Sequence, residues 1–186
     1  MLFNYAGGAP CGCLVPMAKL VNMAAPTHSA SPLFLREPEI RRGCELLYFG
    51  YSHLTRAIDQ LLAEKGLGRA HHRALYFIAR QPDMTVSQLL ALLAITKQSL
   101  GRVLNELGSR GMVETRPGDR DRRQRLLRLT PAGAEFETTL FEGMRRKMTA
   151  AYADAGQGAV GGFWAVLEGL IPEGERKRVQ ALRDMG

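Results

Sequence analysis

A mainly α-helical fold with one small β-hairpin is what this sequence predicts, on three observations. Apolar residues recur at three- and four-residue spacing from about residue 39 onward. Two short apolar helices are separated only by the turn around Ile95 and Thr96. Directly after them the apolar period falls to about two, across an arginine-rich stretch that reads as two strands and a polar loop. Helix, turn, helix and then hairpin is the order of a winged helix-turn-helix, here with further helices on both sides.

The elements follow in order. Residues 1–38 are rich in Ala, Gly, Pro and Ser without periodicity and read as a disordered or variable tail. The first helix begins after Pro38, with Leu47, Gly50, Tyr51, Leu54, Ile58, Leu61 and Leu62 on one stripe, and stops at Gly66 and Gly68. A second helix spans about Arg69 to Arg80, where Gln81-Pro82-Asp83 ends it. Met84 to Val86 has room for a minimal strand, and Ser87 is placed to cap a third helix carrying Leu89, Leu90, Leu92 and Leu93. Thr96 caps a fourth, Lys97 to Arg110, closed by Gly111. Strands are expected over Met112 to Arg116 and Arg125 to Leu129. Thr130-Pro131 supplies an N-cap and a first-turn proline for a fifth helix, to about Ala153. Gly156, Gly158, Gly161 and Gly162 mark a flexible break before a last helical segment through Phe163 to Ile171 and the basic stretch to Arg183. The organisation expected is a tail (1–38), dimerisation and linking helices (39–84), a winged helix-turn-helix (85–130) and C-terminal dimerisation helices (131–186). The flanking helices are too amphipathic to stand alone, and a second subunit is the economical place to bury them.

The 186 residues carry 25 Lys+Arg against 18 Asp+Glu, a net +7, so where that charge sits decides what it means. Between Arg116 and Arg128 stand six arginines (Arg116, Arg120, Arg122, Arg123, Arg125, Arg128) and two acids, Asp119 and Asp121. More than half of the surplus is therefore in one hairpin. Arginine forks suit phosphates and narrow minor grooves, and the two aspartates are expected to shape the wing by accepting from their neighbours. On the fourth helix Gln98, Arg102 and Asn105 share the side opposite Leu100, Val103 and Leu107, with Lys97 and Ser99 in the first turn. Amide side chains can bond adenine and Arg can bond guanine, whereas helix N-terminal amides receive phosphate. Any solvated helix face shows such residues too; the basic hairpin directly after it is what favours DNA.

The run from Ile95 to Leu107, then Arg110-Gly111-Met112-Val113, resembles the recognition helix and first wing strand of MarR-type regulators. Asp119-Arg120-Asp121-Arg122-Arg123 with Leu127 to Gly133 resembles that family's wing signature and fifth helix. The likeness runs from about Glu39 to the C-terminus. It implies a homodimer joined by its first, fifth and sixth helices, recognition helices in successive major grooves and wing arginines in flanking minor grooves. It also implies a repressor released by a small anion, a phenolic compound or an oxidant. By position, the matching effector residues are Tyr48, His53, Arg56, His72, Arg73 and Tyr76. Cys44, four residues before Tyr48, resembles the reactive thiol of the family's hydroperoxide-sensing branch, although Ile58 stands where that branch has a further tyrosine. Most helical cysteines of this kind are small packing residues.

Other function classes fare worse. No apolar run reaches the ~20 residues of a membrane span. Three cysteines, Cys11, Cys13 and Cys44, make no disulfide scaffold, and a reducing cytoplasm is expected. Cys11-Gly12-Cys13 lacks zinc spacing, His71 and His72 are adjacent and face different ways, and no hydrolase, metalloprotease or nucleotide-binding motif occurs. Neither catalysis nor a cofactor is expected. Two readings stand: a sequence-specific regulator of double-stranded DNA, and a winged-helix module whose basic hairpin meets an acidic protein.

Overall fold

The computed structural model describes residues 32–118 and 122–183, which fall into two units, 1–43 and 44–186. The first unit contributes a 3-10 turn, Pro32–Leu35, and the first turns of helix α1 (Glu37–Glu64). Helix α1 thus starts just before Pro38 rather than after it, because a proline in the first turn lacks only an amide that would have no partner anyway.

The second unit continues with α2 (Arg69–Arg80), β1 (Met84–Thr85), α3 (Val86–Leu93), α4 (Lys97–Ser109), β2 (Val113–Pro117), β3 (Arg125–Leu129), α5 (Pro131–Ala155), α6 (Gln157–Leu170) and α7 (Glu173–Arg183). Chain punctuation explains most of these boundaries. Helices α1 and α4 end alike: Gly66 (φ 61°) and Gly111 (φ 65°) take the left-handed conformation. The next amides then turn back, Leu67 to the Leu62 carbonyl (2.8 Å) and Met112 to the Leu107 carbonyl (2.9 Å). Leu67 and Met112 are both buried, so each stop also plugs the core.

Thr85, not Ser87, caps α3. Its hydroxyl accepts from the Gln88 amide (3.2 Å) while the Gln88 side chain accepts from the Thr85 amide (2.7 Å), a reciprocal box that Ser87, two residues later and already inside the helix, is placed too late to make. Thr96 caps α4 through the Ser99 amide (3.1 Å). Thr130 caps α5 through the Gly133 amide (3.1 Å) and donates to the Gly111 carbonyl (2.6 Å), tying α5 to the end of α4. Among the C-terminal glycines only Gly156 (φ 79°) interrupts the helix; Gly158, Gly161 and Gly162 lie inside α6. The basic stretch beyond Pro172 is a separate helix, α7.

The sheet is antiparallel in the order β1-β3-β2, with Met84 and Thr115 both opposite Leu127. Met84 and Leu127 are fully buried beneath it. The core lies among the second half of α1 (Ile58, Leu62), helices α2 to α4, the sheet, and the first half of α5 (Phe136, Leu140). Each fully buried leucine there contributes about 1.5–3 kcal/mol relative to exposure. Two glycines allow close crossings: a Cβ on Gly133 would stand 1.9 Å from the Met112 carbonyl oxygen, and one on Gly143 would stand 3.4 Å from that of Ala57. By contrast α6 buries no side chain, and the residues around 44–51 of α1 are exposed.

Candidate nucleic-acid interface

Helix α4 is held by one side only. Leu100, Val103 and Leu107 are buried, whereas Lys97, Gln98, Ser99, Arg102 and Asn105 are all exposed. Gly101, on the exposed side, has nothing within 4 Å of where a Cβ would stand. The structure therefore brings the five predicted α4 residues together on one open face, with the positive end of the helix dipole at Lys97.

At its far end α4 is clamped by a network that sequence reasoning missed. The Glu106 carboxylate accepts from Arg110 Nη2 (2.8 Å) and lies 3.0 Å from His71 Nε2. His71 Nδ1 in turn accepts from the Gly68 amide (3.1 Å), so the proton facing Glu106 is on Nε2. The Arg110 guanidinium also donates to the Lys65 carbonyl at the end of α1. Arg110 foremost, then His71, holds the Glu106 carboxyl below the usual range. The adjacent histidines do diverge: His71 meets α4, and His72 is buried.

The wing divides its arginines. Arg122, Arg123 and Arg125 are exposed. Arg116 and Arg128, exposed as well, are engaged by Asp83, in the turn before β1. Arg128 binds that carboxylate with both Nε (3.2 Å) and Nη2, and Arg116 Nη2 donates to it at 3.3 Å. Arg116 Nε is also 3.7 Å from Glu114. Arg128 foremost, with Arg116, pulls the Asp83 carboxyl below its ordinary 3.8. Asp119, Arg120 and Asp121 lie outside the described residues; the acids seen to meet wing arginines are Asp83 and Glu114. The only signal of Asp83 in the sequence is an aspartate in a turn that reads as a helix stop.

The effector residues are less concentrated. Cys44, Tyr48, His53 and Arg56 are exposed along α1, Cys44 as a free thiol. Arg73 donates to the Leu93 carbonyl (2.8 Å), closing the end of α3. His72 and Tyr76 come together, their rings 6.3 Å apart, with Phe141 of α5 6.2 Å from Tyr76. His72 is 7% exposed and its Nε2 has no hydrogen-bond partner among the described residues; burial holds its pKa below 6.5. Among the described residues no group of three metal-ligating side chains converges, and no helix is long and apolar enough to cross a membrane.

Comparison with known proteins adds three findings. The MarR family profile matches residues 65–124, from the end of α1 into the wing. The chain is 46% identical over 152 residues to the HTH-type transcriptional regulator PetP of Rhodobacter capsulatus, across 82% of this chain and 92% of that protein. Among solved structures, a MarR mutant from E. coli complexed with operator DNA superposes with TM-score 0.57 at 23% identity, covering 76% of this chain and 100% of that one. A MarR-family regulator from Silicibacter pomeroyi gives 0.60 at 20% identity, covering 72% and 88%. At these identities the structural likenesses speak to the fold.

Proposed function

This chain belongs to the MarR family of transcriptional regulators, and from that premise we propose that it is a homodimeric repressor that binds a specific site in double-stranded DNA and lets go when a small ligand or an oxidant reaches it. The observation that carries the reading is the open face of α4, with Gln98, Arg102 and Asn105 all exposed, in one unit with a wing whose Arg122, Arg123 and Arg125 are exposed too. Arg102, Asn105 and Gln98 would bond base edges in the major groove. Lys97 and Ser99, at the helix N-terminus, would meet phosphate, and the wing arginines would add backbone and minor-groove contacts.

Dimerisation is supported by apolar side chains left in water: Leu47 (44% exposed), Tyr48 and Tyr51 on α1, and Trp164, Val166 and Leu170 on α6. A twofold axis that covered them would set two recognition helices about one DNA turn, ~34 Å, apart. A ligand or oxidant that favours another spacing lowers operator affinity by its preference for that state. The buried, unpartnered His72 Nε2 and the exposed Cys44 thiol support two routes to such an effect. Hydroperoxide treatment of wild type and Cys44→Ser separates them, since equal responses exclude the thiol.

The central test is fluorescence anisotropy with duplexes from the gene's own upstream region. Saturable binding that survives competitor DNA is the expected result. Purely non-specific, salt-sensitive binding would overturn it in favour of an acidic protein partner for the basic hairpin.

A further inference from the structure

We propose that Asp83 is a positioning residue for DNA recognition, a strut that takes Arg116 and Arg128 out of DNA contact and uses them to hold the wing at its angle. The inference rests on the DNA-binding reading above and assigns different jobs to the wing's arginines.

Three observations carry it. First, Asp83 is joined to the wing by backbone and side chain together. Its amide donates to the Leu127 carbonyl (2.9 Å), and its carboxylate receives Arg128 through two nitrogens and Arg116 through one. The turn after α2 is thereby fastened to both long strands of the sheet.

Second, the strand register puts these groups on one face. Glu114 lies opposite Arg128, and Arg116 is two residues along β2 from Glu114, so all three side chains project from the same side. Met84 pairs with Leu127, which brings Asp83, the residue before it, alongside Arg128. Two acids and two bases form a neutral ladder across the root of the wing. Positive charge that can meet phosphate stands nearer its tip, where Arg122 and Arg125 are exposed. A rigid root and a charged tip together fix where the tip meets the duplex.

Third, Asp83 occupies a left-handed backbone conformation, φ 62°. Glycine takes that conformation without steric cost and an L-residue does not. Aspartate is one of the few L-residues that take it, and this turn aims its carboxylate at Arg128 and Arg116. Isolated exposed ion pairs contribute little to stability, so the consequence of this one is geometric.

The competing account makes Asp83 an electrostatic bystander, and the two predict opposite signs. For a bystander, Asp83→Asn removes a negative charge beside the wing and tightens binding to every duplex. For a strut, Asp83→Asn weakens operator binding by about five- to tenfold, the scale of one or two lost surface contacts. Affinity for random-sequence duplex meanwhile holds or rises, with a log–log salt slope steeper by up to about two units as the released guanidiniums meet phosphate. Arg128→Gln should reproduce the operator loss, and Asp83→Asn added to it should do little more. Asp83→Gly, which suits the left-handed turn and keeps the amide bond to Leu127, is the second variant should the asparagine form fold poorly. Operator affinity that stays level, or rises in step with random duplex, overturns the proposal. Amide hydrogen exchange without DNA keeps this outcome apart from failure of the DNA-binding reading. The strut requires faster exchange in β2 and β3 of Asp83→Asn, and unchanged protection overturns it. A wild-type chain that binds no duplex saturably would overturn the DNA-binding reading alone.

Discussion

His72 places an imidazole in the core with one nitrogen unsatisfied among the described residues, and burial favours its neutral form. Its folded pKa lies below the unfolded value of 6.5, so in the window between them the unfolded chain holds a proton that the native chain refuses. Stability therefore falls as pH drops from above 6.5 toward the folded pKa. His72→Phe, which removes both the orphan nitrogen and the titration, is expected to melt no lower than wild type at pH 7.5 and to flatten this acid loss; thermal melts at a series of pH values check it. Two glycines give opposite expectations. Gly133→Ala drives a Cβ into the Met112 carbonyl, fixed backbone that cannot yield cheaply. A loss of roughly 2–3 kcal/mol is expected in urea unfolding. Gly101→Ala meets nothing within the protein, so α4 should gain about 1 kcal/mol of helix propensity. Weaker operator binding by the same variant would locate the DNA backbone against that face.

At the scale of elements, α4 and the wing have different tasks under the DNA-binding proposal, and salt separates them. Arg122→Ala is expected to weaken binding to all duplexes and to reduce the log–log salt slope by about one unit, the signature of one lost phosphate contact. Asn105→Ala should cost operator affinity by about 1–3 kcal/mol while leaving the slope and the random-sequence affinity near wild type. Titrations at four salt concentrations distinguish the two. Helix α4 is suited to its task by being anchored at both ends: Thr96 caps its start, and the Glu106–His71–Arg110 cluster ties its finish to the end of α1. A displacement of the end of α1 would thus pull on α4 through these hydrogen bonds.

For the whole molecule, the decisive feature is apolar surface that one copy cannot cover. Helix α6 has no buried residue, and an open groove between α5 and α6, lined by Tyr152, Val160 and Trp164 among others, faces solvent. Patches of this kind mark interaction surfaces. Sedimentation should find dimers, and the melting temperature should rise with protein concentration. Val166→Asp, at a side chain 65% exposed in the single chain, should yield monomers. Operator affinity should then fall at least tenfold, since two linked half-sites become one.

Much of this was legible in order along the chain, because what determines it is local. Caps and stops act over three to five residues, as the Thr96–Ser99 bond and the Leu67–Leu62 turn-back show. The drop from helical to strand period marks the wing without any knowledge of packing. Local rules pointed to Ser87 as the α3 cap, and the reciprocal bond with Gln88 selects Thr85 instead. The sequence alone determined the order of elements from α1 to α6, the exposed face of α4 and the arginine-rich hairpin. Only the tertiary structure decided which arginines Asp83 engages. Asp83 lies 33 and 45 residues from Arg116 and Arg128, and it reaches both because β1 adds beside β3 rather than β2. Pairing across such separations depends on which strand edges meet once the core has closed, and no local pattern of residues encodes that.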